Sequence, residues 1–316
     1  MKCQLILNPR SNSGKAVKKF ETIFTLLRQA GIEYDCSYAR TYSSIHDASV
    51  KAQAGDHDVI VAIGGDGTIN AVINSFFDEE GRLRSEKMMG VIYTGTSPDF
   101  CKSYGIPLDL DDAVETLRQK HFRKIRLGKI EFRKELHSSE TETRYFSCCA
   151  SIGIGAMVAG KANQLRKYLG DTAGTFAAIL SSLVKFHPED ITIRTNHEEK
   201  IFSRVTNIFV GRTKYIASGL KFRDGIPDED PRFYVICVRN LTLLRLPGLL
   251  MQMYGGHSAN SSVLEVFFSD QLKINSGKAG IAVEFDGDPA GFSPCLIRLA
   301  ENQLKLIVSG PSVVHY

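Results

Sequence analysis

Residues 59–70, Val-Ile-Val-Ala-Ile-Gly-Gly-Asp-Gly-Thr-Ile-Asn, constrain the fold more than any other stretch of the chain. Five apolar residues at 59–63 follow Asp58 and run into a glycine cluster, which reads as a buried parallel strand. Beyond the cluster, Ile69, Val72, Ile73 and Phe76 recur at helical spacing. The stretch is therefore strand, tight turn and helix, the unit of a parallel α/β sheet. Ligands of such sheets lie at the carboxyl ends of the strands, where helix N-terminal N–H groups favour anions. Gly64, Gly65 and Gly67 lack the Cβ atoms that would hold a phosphate away from the backbone. Asp66 would repel such a phosphate unless a cation lay between them, so it reads as a magnesium ligand, direct or through water. The alternative is a plain turn with Asp66 as a helix cap, which needs one such residue and not three flanking glycines.

The segments before and after repeat this pattern. A strand at 3–7 enters Asn8-Pro9-Arg10-Ser11-Asn12-Ser13-Gly14-Lys15, and a helix with Val17, Phe20, Ile23, Phe24 and Leu27 on one stripe follows. This loop lacks the first glycine of a Walker A motif and the Ser/Thr after its lysine, so it is only a polar, basic loop at a helix N-terminus. A strand at 32–39 and a helix at 45–54 come next, with Thr41 between them. The strand at 88–93 ends in Thr94-Gly95-Thr96-Ser97-Pro98-Asp99-Phe100, a second loop of glycine, hydroxyl and acid. If the two strands are neighbours, Asp66 and Asp99 face one cleft. A helix at 109–120 closes an α/β domain over 1–121.

From 122 the chain turns to period-two stretches at 125–133, 144–151, 191–195, 202–210, 232–238, 262–268 and 279–286, interrupted by helical stretches at 156–185 and 243–254. The expectation is a β-sandwich over 122–300 with helical insertions, and a last strand at 304–308. Cys148-Cys149 fall within the 144–151 strand and read as packing, and 137–143 reads as a hairpin tip. Gly153-x-Gly155 has no third glycine and is not a dinucleotide fingerprint. The 241–254 stretch is the most apolar in the chain, broken by Arg245 and Pro247 and too short to span a bilayer. It reads as a core helix, with a lipid-facing surface open to its other face. Asp228-Glu229-Asp230 is a solvated turn or an oxygen-rich cation site, and Asp286-Gly287-Asp288 is a hairpin turn or a pair of carboxylates aimed into a cleft.

Composition excludes several classes. The net charge is only +4 and the basic residues are dispersed, so nucleic acid is not implied. Cysteines at 3, 36, 101, 148, 149, 237 and 295 are odd in number and form no Cys-x-x-Cys pair, which argues against a disulfide framework or zinc site and for a reducing compartment. No leader or spanning run is read, and a cytoplasmic protein is expected.

Taken together, Asn8-Pro9-Arg10-Ser11, Gly14-Lys15-Ala16, Gly64-Gly65-Asp66-Gly67-Thr68-Ile69-Asn70, Gly95-Thr96, Asp99-Phe100, Gly105-Ile106-Pro107 and Asp286-Gly287 match, in order and spacing, the diacylglycerol kinase-like lipid kinases of bacteria. The chain resembles that family, a relative of the sphingosine kinases, over nearly its whole length. The resemblance implies an NAD kinase-like α/β domain with a parallel sheet, joined by the tail 301–316, and a C-terminal β-sandwich. It implies MgATP as phosphoryl donor, a lipid hydroxyl as acceptor, and peripheral association with a membrane surface; a homodimer stays open. Position by position it implies Asp66, Asp99 and Asp288 at the magnesium, Asp286 as the base, and Asp230 with the backbone around Arg232 as a structural metal site. Asn8, Ser11, Gly14, Lys15, Thr41, Gly64, Gly65, Gly67, Thr68, Gly95 and Thr96 would line the nucleotide. This chain departs from the family pattern at Asn12, Ala71, Pro98 and Asp288, where glycine, glutamate, asparagine and glutamate are usual. The departures at Asn12, Ala71 and Pro98 leave open a non-catalytic nucleotide- or lipid-binding regulator, and the Gly-Gly-Asp-Gly-Thr element, shared with NAD kinases, leaves open a soluble-substrate kinase of the NAD kinase type.

Overall fold

The computed structural model describes residues 1–222, 225–256, 261–276 and 280–310. It divides into two compact units, Met1–Leu127 with the tail from Ala300, and Gly128–Leu299. The boundary falls later than the change of pattern at 121 suggests, because the strand Phe122–Ile125 pairs antiparallel with the tail strand Leu304–Ile307 inside the first unit. The last residues of the 301–316 tail, 311–316, lie outside the described residues, as does 279 at the start of the 279–286 stretch.

In the first unit, β1 (Lys2–Leu7), β2 (Glu33–Tyr38), β3 (Val59–Gly64), β4 (Met88–Tyr93) and β5 (Phe122–Ile125) form one sheet with the tail strand, in the order β2-β1-β3-β4-tail-β5. β1 to β4 run parallel. The 59–63 run is fully buried, as a central strand covered on both faces must be. Helix α1 (Val17–Gln29) lays Phe20, Ile23 and Leu27 against the sheet at helical spacing. Helices α2 (Tyr42–Gln53), α3 (Asp66–Ser75), α4 (Asp99–Tyr104) and α5 (Leu110–Gln119) follow their strands. α5 starts where the Asp109 carboxylate accepts from the Asp111 and Asp112 N–H groups, and its Leu117 fills the space over Gly90, where any Cβ would meet it at 2.4 Å. The order β2-β1-β3 reverses direction at β1/β3, which opens a crevice at the carboxyl ends of those strands.

The second unit carries β6 (Gly128–Arg133), β7 (Thr141–Phe146), β8 (Cys149–Gly153), α6 (Ile154–Leu169), α7 (Asp171–Leu183), β9 (Glu189–Arg194), β10 (Glu199–Gly211), β11 (Tyr215–Ile216), β12 (Leu220–Lys221), β13 (Phe233–Arg239), α8 (Leu246–Tyr254), β14 (Leu264–Ser269), β15 (Gln271–Ser276), β16 (Ala282–Phe285) and β17 (Asp288–Leu299). The large sheet runs β14-β13-β10-β8-β16-β17-β15-β9, and β9 pairs again with the first half of β10. The strands thereby close on themselves around Ile191, Ile193, Phe202, Ile208, Val283, Phe285 and Ile297. The helical stretch at 156–185 is two helices, divided at Gly170, whose φ of +79° suits glycine. The 144–151 strand is likewise two, and the division has a chemical cause described below. β17 escapes the period-two reading because Pro289, Gly291 and Pro294 interrupt its apolar alternation.

Candidate functional site

Three loops meet at the carboxyl ends of β1, β3 and β4. Asn8 Nδ2 donates to Thr68 Oγ1 at 2.9 Å, which ties the loop after β1 to the first turn of α3. Ser11 Oγ donates to the Thr94 carbonyl at 3.3 Å, which ties the same loop to the end of β4. Gly65 and Gly95 touch backbone to backbone: a Cβ on Gly95 would stand 2.6 Å from the Gly65 Cα and from the Tyr93 hydroxyl. A Cβ on Gly64 would meet Thr68 Oγ1 at 2.3 Å. The glycines thus permit the close approach of the loops after β3 and β4, next to the β1/β3 position where the strand order reverses.

The cap alternative for Asp66 does not hold. Gly65 is the N-cap of α3, with no side-chain cap bond, and Asp66 is the first helical residue. Asp99 stands in the same relation to α4, whose N-cap Pro98 cannot supply a side-chain acceptor. Both charges are felt at the Tyr93 phenol, which is pushed well above its ordinary range, first by burial and then by the charge of Asp66, with Cys101 and Asp99 adding to it. Among the described residues no cluster of three or more candidate ligands is found, but two carboxylates at neighbouring strand ends suit a hard divalent cation such as magnesium, which takes one or two carboxylates and fills its shell from phosphate and water.

The loop after β1 takes a left-handed course, with φ of +50° at Asn12, +55° at Ser13 and +87° at Gly14. Asparagine is among the residues that tolerate this region, so Asn12 keeps the backbone course open to glycine. Lys15 and Thr96 are exposed. Thr41 is the N-cap of α2: its Oγ1 accepts from the Ser44 N–H at 3.2 Å while Ser44 Oγ accepts from the Thr41 N–H, a reciprocal capping box. Its hydroxyl therefore has a local structural task.

In the second unit, Asp286 and Gly287 are the two turn residues between β16 and β17, with Phe285 opposite Asp288. Both have positive φ, +50° and +88°, as a type I′ turn requires. The Asp286 carboxylate is also a clamp. Its Oδ2 accepts from the Ser147 N–H at 2.8 Å and the Ser147 hydroxyl at 2.9 Å, and its Oδ1 from the N–H groups of Cys148 at 2.8 Å and Cys149 at 3.4 Å. These bonds turn the chain between β7 and β8, so Cys148-Cys149 lie at a break and not within one strand. Glu284, two residues before the turn, escapes the sequence reading. It is buried, accepts from the Gly287 N–H at 3.2 Å, and has its pKa pushed up to about 8 by burial and then by Asp286. Burial and Asp286 likewise raise the Asp288 carboxyl, against the pull of Arg144.

The residues at Asp230 do not fit a resident metal. Both Asp230 oxygens accept from the Arg232 guanidinium, at 3.0 and 2.8 Å, which holds the carboxyl below its ordinary range. The Arg212 guanidinium, itself buried, donates to the Arg232 carbonyl and to the Pro227 carbonyl at 2.9 Å. Arginine cations already serve the oxygens that a metal would take.

Residues 2–130 match a family model described as "Diacylglycerol kinase catalytic domain", and residues 148–308 match "YegS C-terminal NAD kinase beta sandwich-like domain". Proteins named diacylglycerol kinase from two strains of Staphylococcus aureus are 24% and 25% identical over 303 residues, covering 93% of this chain and 88% of each relative. A solved structure titled as a diacylglycerol kinase from Bacillus anthracis superposes with a TM-score of 0.71 at 17% identity, covering 99% of this chain and 98% of that one. Yeast NADH kinase, solved with NADH, superposes with a TM-score of 0.54 at 10% identity, over 98% of this chain and 84% of that one.

Proposed function

The chain belongs to the diacylglycerol kinase catalytic-domain family, and on that premise we propose that it transfers the γ-phosphoryl group of MgATP to the hydroxyl of a diacylglycerol-like lipid. The observation that carries the reading is the contact of Gly65 with Gly95 beside the Asn8–Thr68 and Ser11–Thr94 bonds, because it joins three loops, two of which lead into helices opened by Asp66 and Asp99, at the carboxyl ends of β1, β3 and β4. Asp66 and Asp99 are the residues that would hold a magnesium ion, which would supply charge neutralisation to the phosphoryl oxygens when bound. The backbone N–H groups at the start of α3 orient the phosphates. Asp286 Oδ2 takes the proton of the lipid hydroxyl, which replaces the Ser147 hydroxyl as its donor, while the Cys148 and Cys149 N–H groups keep Oδ1 in place. The exposed apolar residues Phe176 and Leu180 on α7, with Val184 just past it, form an i, i+4, i+8 stripe suited to an acyl acceptor.

The likeness of fold to an NADH kinase supports a second reading, phosphorylation of a nicotinamide dinucleotide. One assay separates them: transfer of labelled γ-phosphate from MgATP to diacylglycerol, sphingosine, ceramide and phosphatidylglycerol in mixed micelles, with NAD alongside. A labelled lipid that disappears in Asp286→Asn is expected. Labelled NADP alone would move the protein to the second reading, and no product with an ATP-dependent rise in melting temperature would make it a non-catalytic nucleotide-binding regulator.

A further inference from the structure

Helix α8 is apolar on all sides. Between Leu246 and Tyr254 the one polar side chain besides the Tyr254 hydroxyl is that of Gln252. A helix of this composition is ordinarily buried on every face. Here only Leu246, Leu249 and Met253 are buried, at core spacing, while Pro247, Met251 and Tyr254 face outward. The segment leading into the helix extends this outer face: Leu243 is exposed, and Leu244 is 94% and Met251 78% exposed. A nearly bare leucine beside the exposed Leu243, with a nearly bare methionine seven residues on, calls for a partner.

The segment that carries this patch holds no carboxylate of its own. From 231 to 264 the sequence holds Arg232, Arg239 and Arg245 and no carboxylate. Arg232 and Arg239 are turned to Asp230 and Glu265, whereas Arg245 is exposed directly after Leu244. Lys221, on β12, flanks the end of the helix, where the Gly256 backbone passes it. A short apolar helix too brief to cross a bilayer, entered through exposed leucines and bordered by cations and a tyrosine, has the make-up of an element that lies in a lipid interface. Among the described residues, no helix is long and apolar enough to cross a membrane. From the bare outer face of α8 and its cationic border we infer that the 243–254 segment docks onto an anionic lipid surface, with Leu243, Leu244 and Met251 entering the acyl boundary and Arg245 meeting the headgroups. The inference rests on the lipid-kinase reading for its purpose, but its test does not.

The full chain is mixed with sucrose-loaded vesicles of phosphatidylcholine, with or without phosphatidylglycerol, and sedimented without nucleotide. Wild type is expected to partition to the mixed vesicles and less to phosphatidylcholine alone. Leu244→Asp with Met251→Asp should lower the partition coefficient about tenfold or more, and Arg245→Glu should remove the preference for phosphatidylglycerol. Ile201→Asp, at an exposed apolar position on β10, should change neither. Because the chain has no tryptophan, Leu244→Trp supplies a single reporter whose emission should move to the blue on vesicles. Unchanged sedimentation of the double variant at an unchanged melting temperature would overturn the inference. So would a Leu244→Trp emission that stays water-like on vesicles, or a fall in oligomeric mass of the double variant without lipid, which would assign the patch to a second copy of the chain. Vesicle binding lost in the double variant, with no lipid phosphorylated by wild type, would sustain the docking surface and refute the kinase reading alone.

Discussion

Replacing Glu284 by glutamine tests the electrostatics of the β16–β17 hairpin most directly. The Glu284 side chain is enclosed and feels the charges of Asp286 and Asp288, so ionisation there is opposed both by lost hydration and by like charge. With a pKa raised from 4.5 to about 8, the folded chain keeps a proton that the unfolded chain has released throughout that interval. Stability therefore falls as pH rises from 4.5 to about 8 and is level above it; below 4.5 both states are protonated and the penalty vanishes. The difference of about 3.5 pH units corresponds to a ceiling of roughly 5 kcal/mol. Glutamine is neutral at every pH and keeps an oxygen for the Gly287 N–H. Thermal unfolding of both proteins across a pH series is the assay. Near pH 5 the two curves are expected to agree closely, and near pH 9 the variant should be the more stable by several kcal/mol, or roughly 5–15 °C in melting temperature. Parallel losses of melting temperature in both proteins across that range would show that another group carries the proton. A variant destabilised equally at every pH would place the importance of Glu284 in its hydrogen bonds.

Gly95→Ala puts a methyl group 2.6 Å from the Gly65 Cα, so a destabilisation of about 1–3 kcal/mol and loss of the ATP-dependent rise in melting temperature are expected; an unimpaired ATP response would detach the two loops from nucleotide binding. At Asp230, chelation with EDTA in the absence of nucleotide should leave the melting temperature of wild type unchanged, and a drop that Asp230→Asn abolishes would restore the metal site. Ser147→Ala removes the hydroxyl that competes for Asp286 Oδ2 while keeping the backbone clamp, so turnover at or above wild type is expected; a fall of tenfold or more would make the serine a participant in proton transfer.

The first unit was readable because its signals are local. Strand, glycines and helix follow one another within 59–76, and the same holds at 3–27 and 88–104, so period and punctuation suffice to place Asp66 and Asp99 at strand ends. What the sequence leaves open there is partnership, since Asn8–Thr68 and Ser11–Thr94 join residues 60 and 83 positions apart. The second unit is harder for the same reason carried further. β15 and β17 are stabilised by pairing with strands far away in sequence, and β17 is recognisable only once β6, β15 and β16 are set beside it. Arg212 likewise looks like an ordinary surface charge until folding brings the Pro227 and Arg232 carbonyls to it.

Asp286 concentrates this difficulty, because the turn reading and the catalytic reading of Asp-Gly are the same geometry seen from two sides. A two-residue type I′ turn needs aspartate, asparagine or glycine at its first position, and those residues earn it by tolerating positive φ. That conformation is also what directs the carboxylate away from its own hairpin and onto the N–H groups of 147–149, residues 137 to 139 positions earlier in the chain. A carboxylate fixed by three backbone donors cannot rotate freely, which suits a group that must meet one hydroxyl in one direction. The same donors stabilise its charge and so weaken it as a base. Of the four, the Ser147 hydroxyl alone can swing away without unfolding the β7–β8 turn. The exchange of that hydroxyl for a substrate hydroxyl is therefore the least costly way for this hairpin to be both a turn and a proton acceptor.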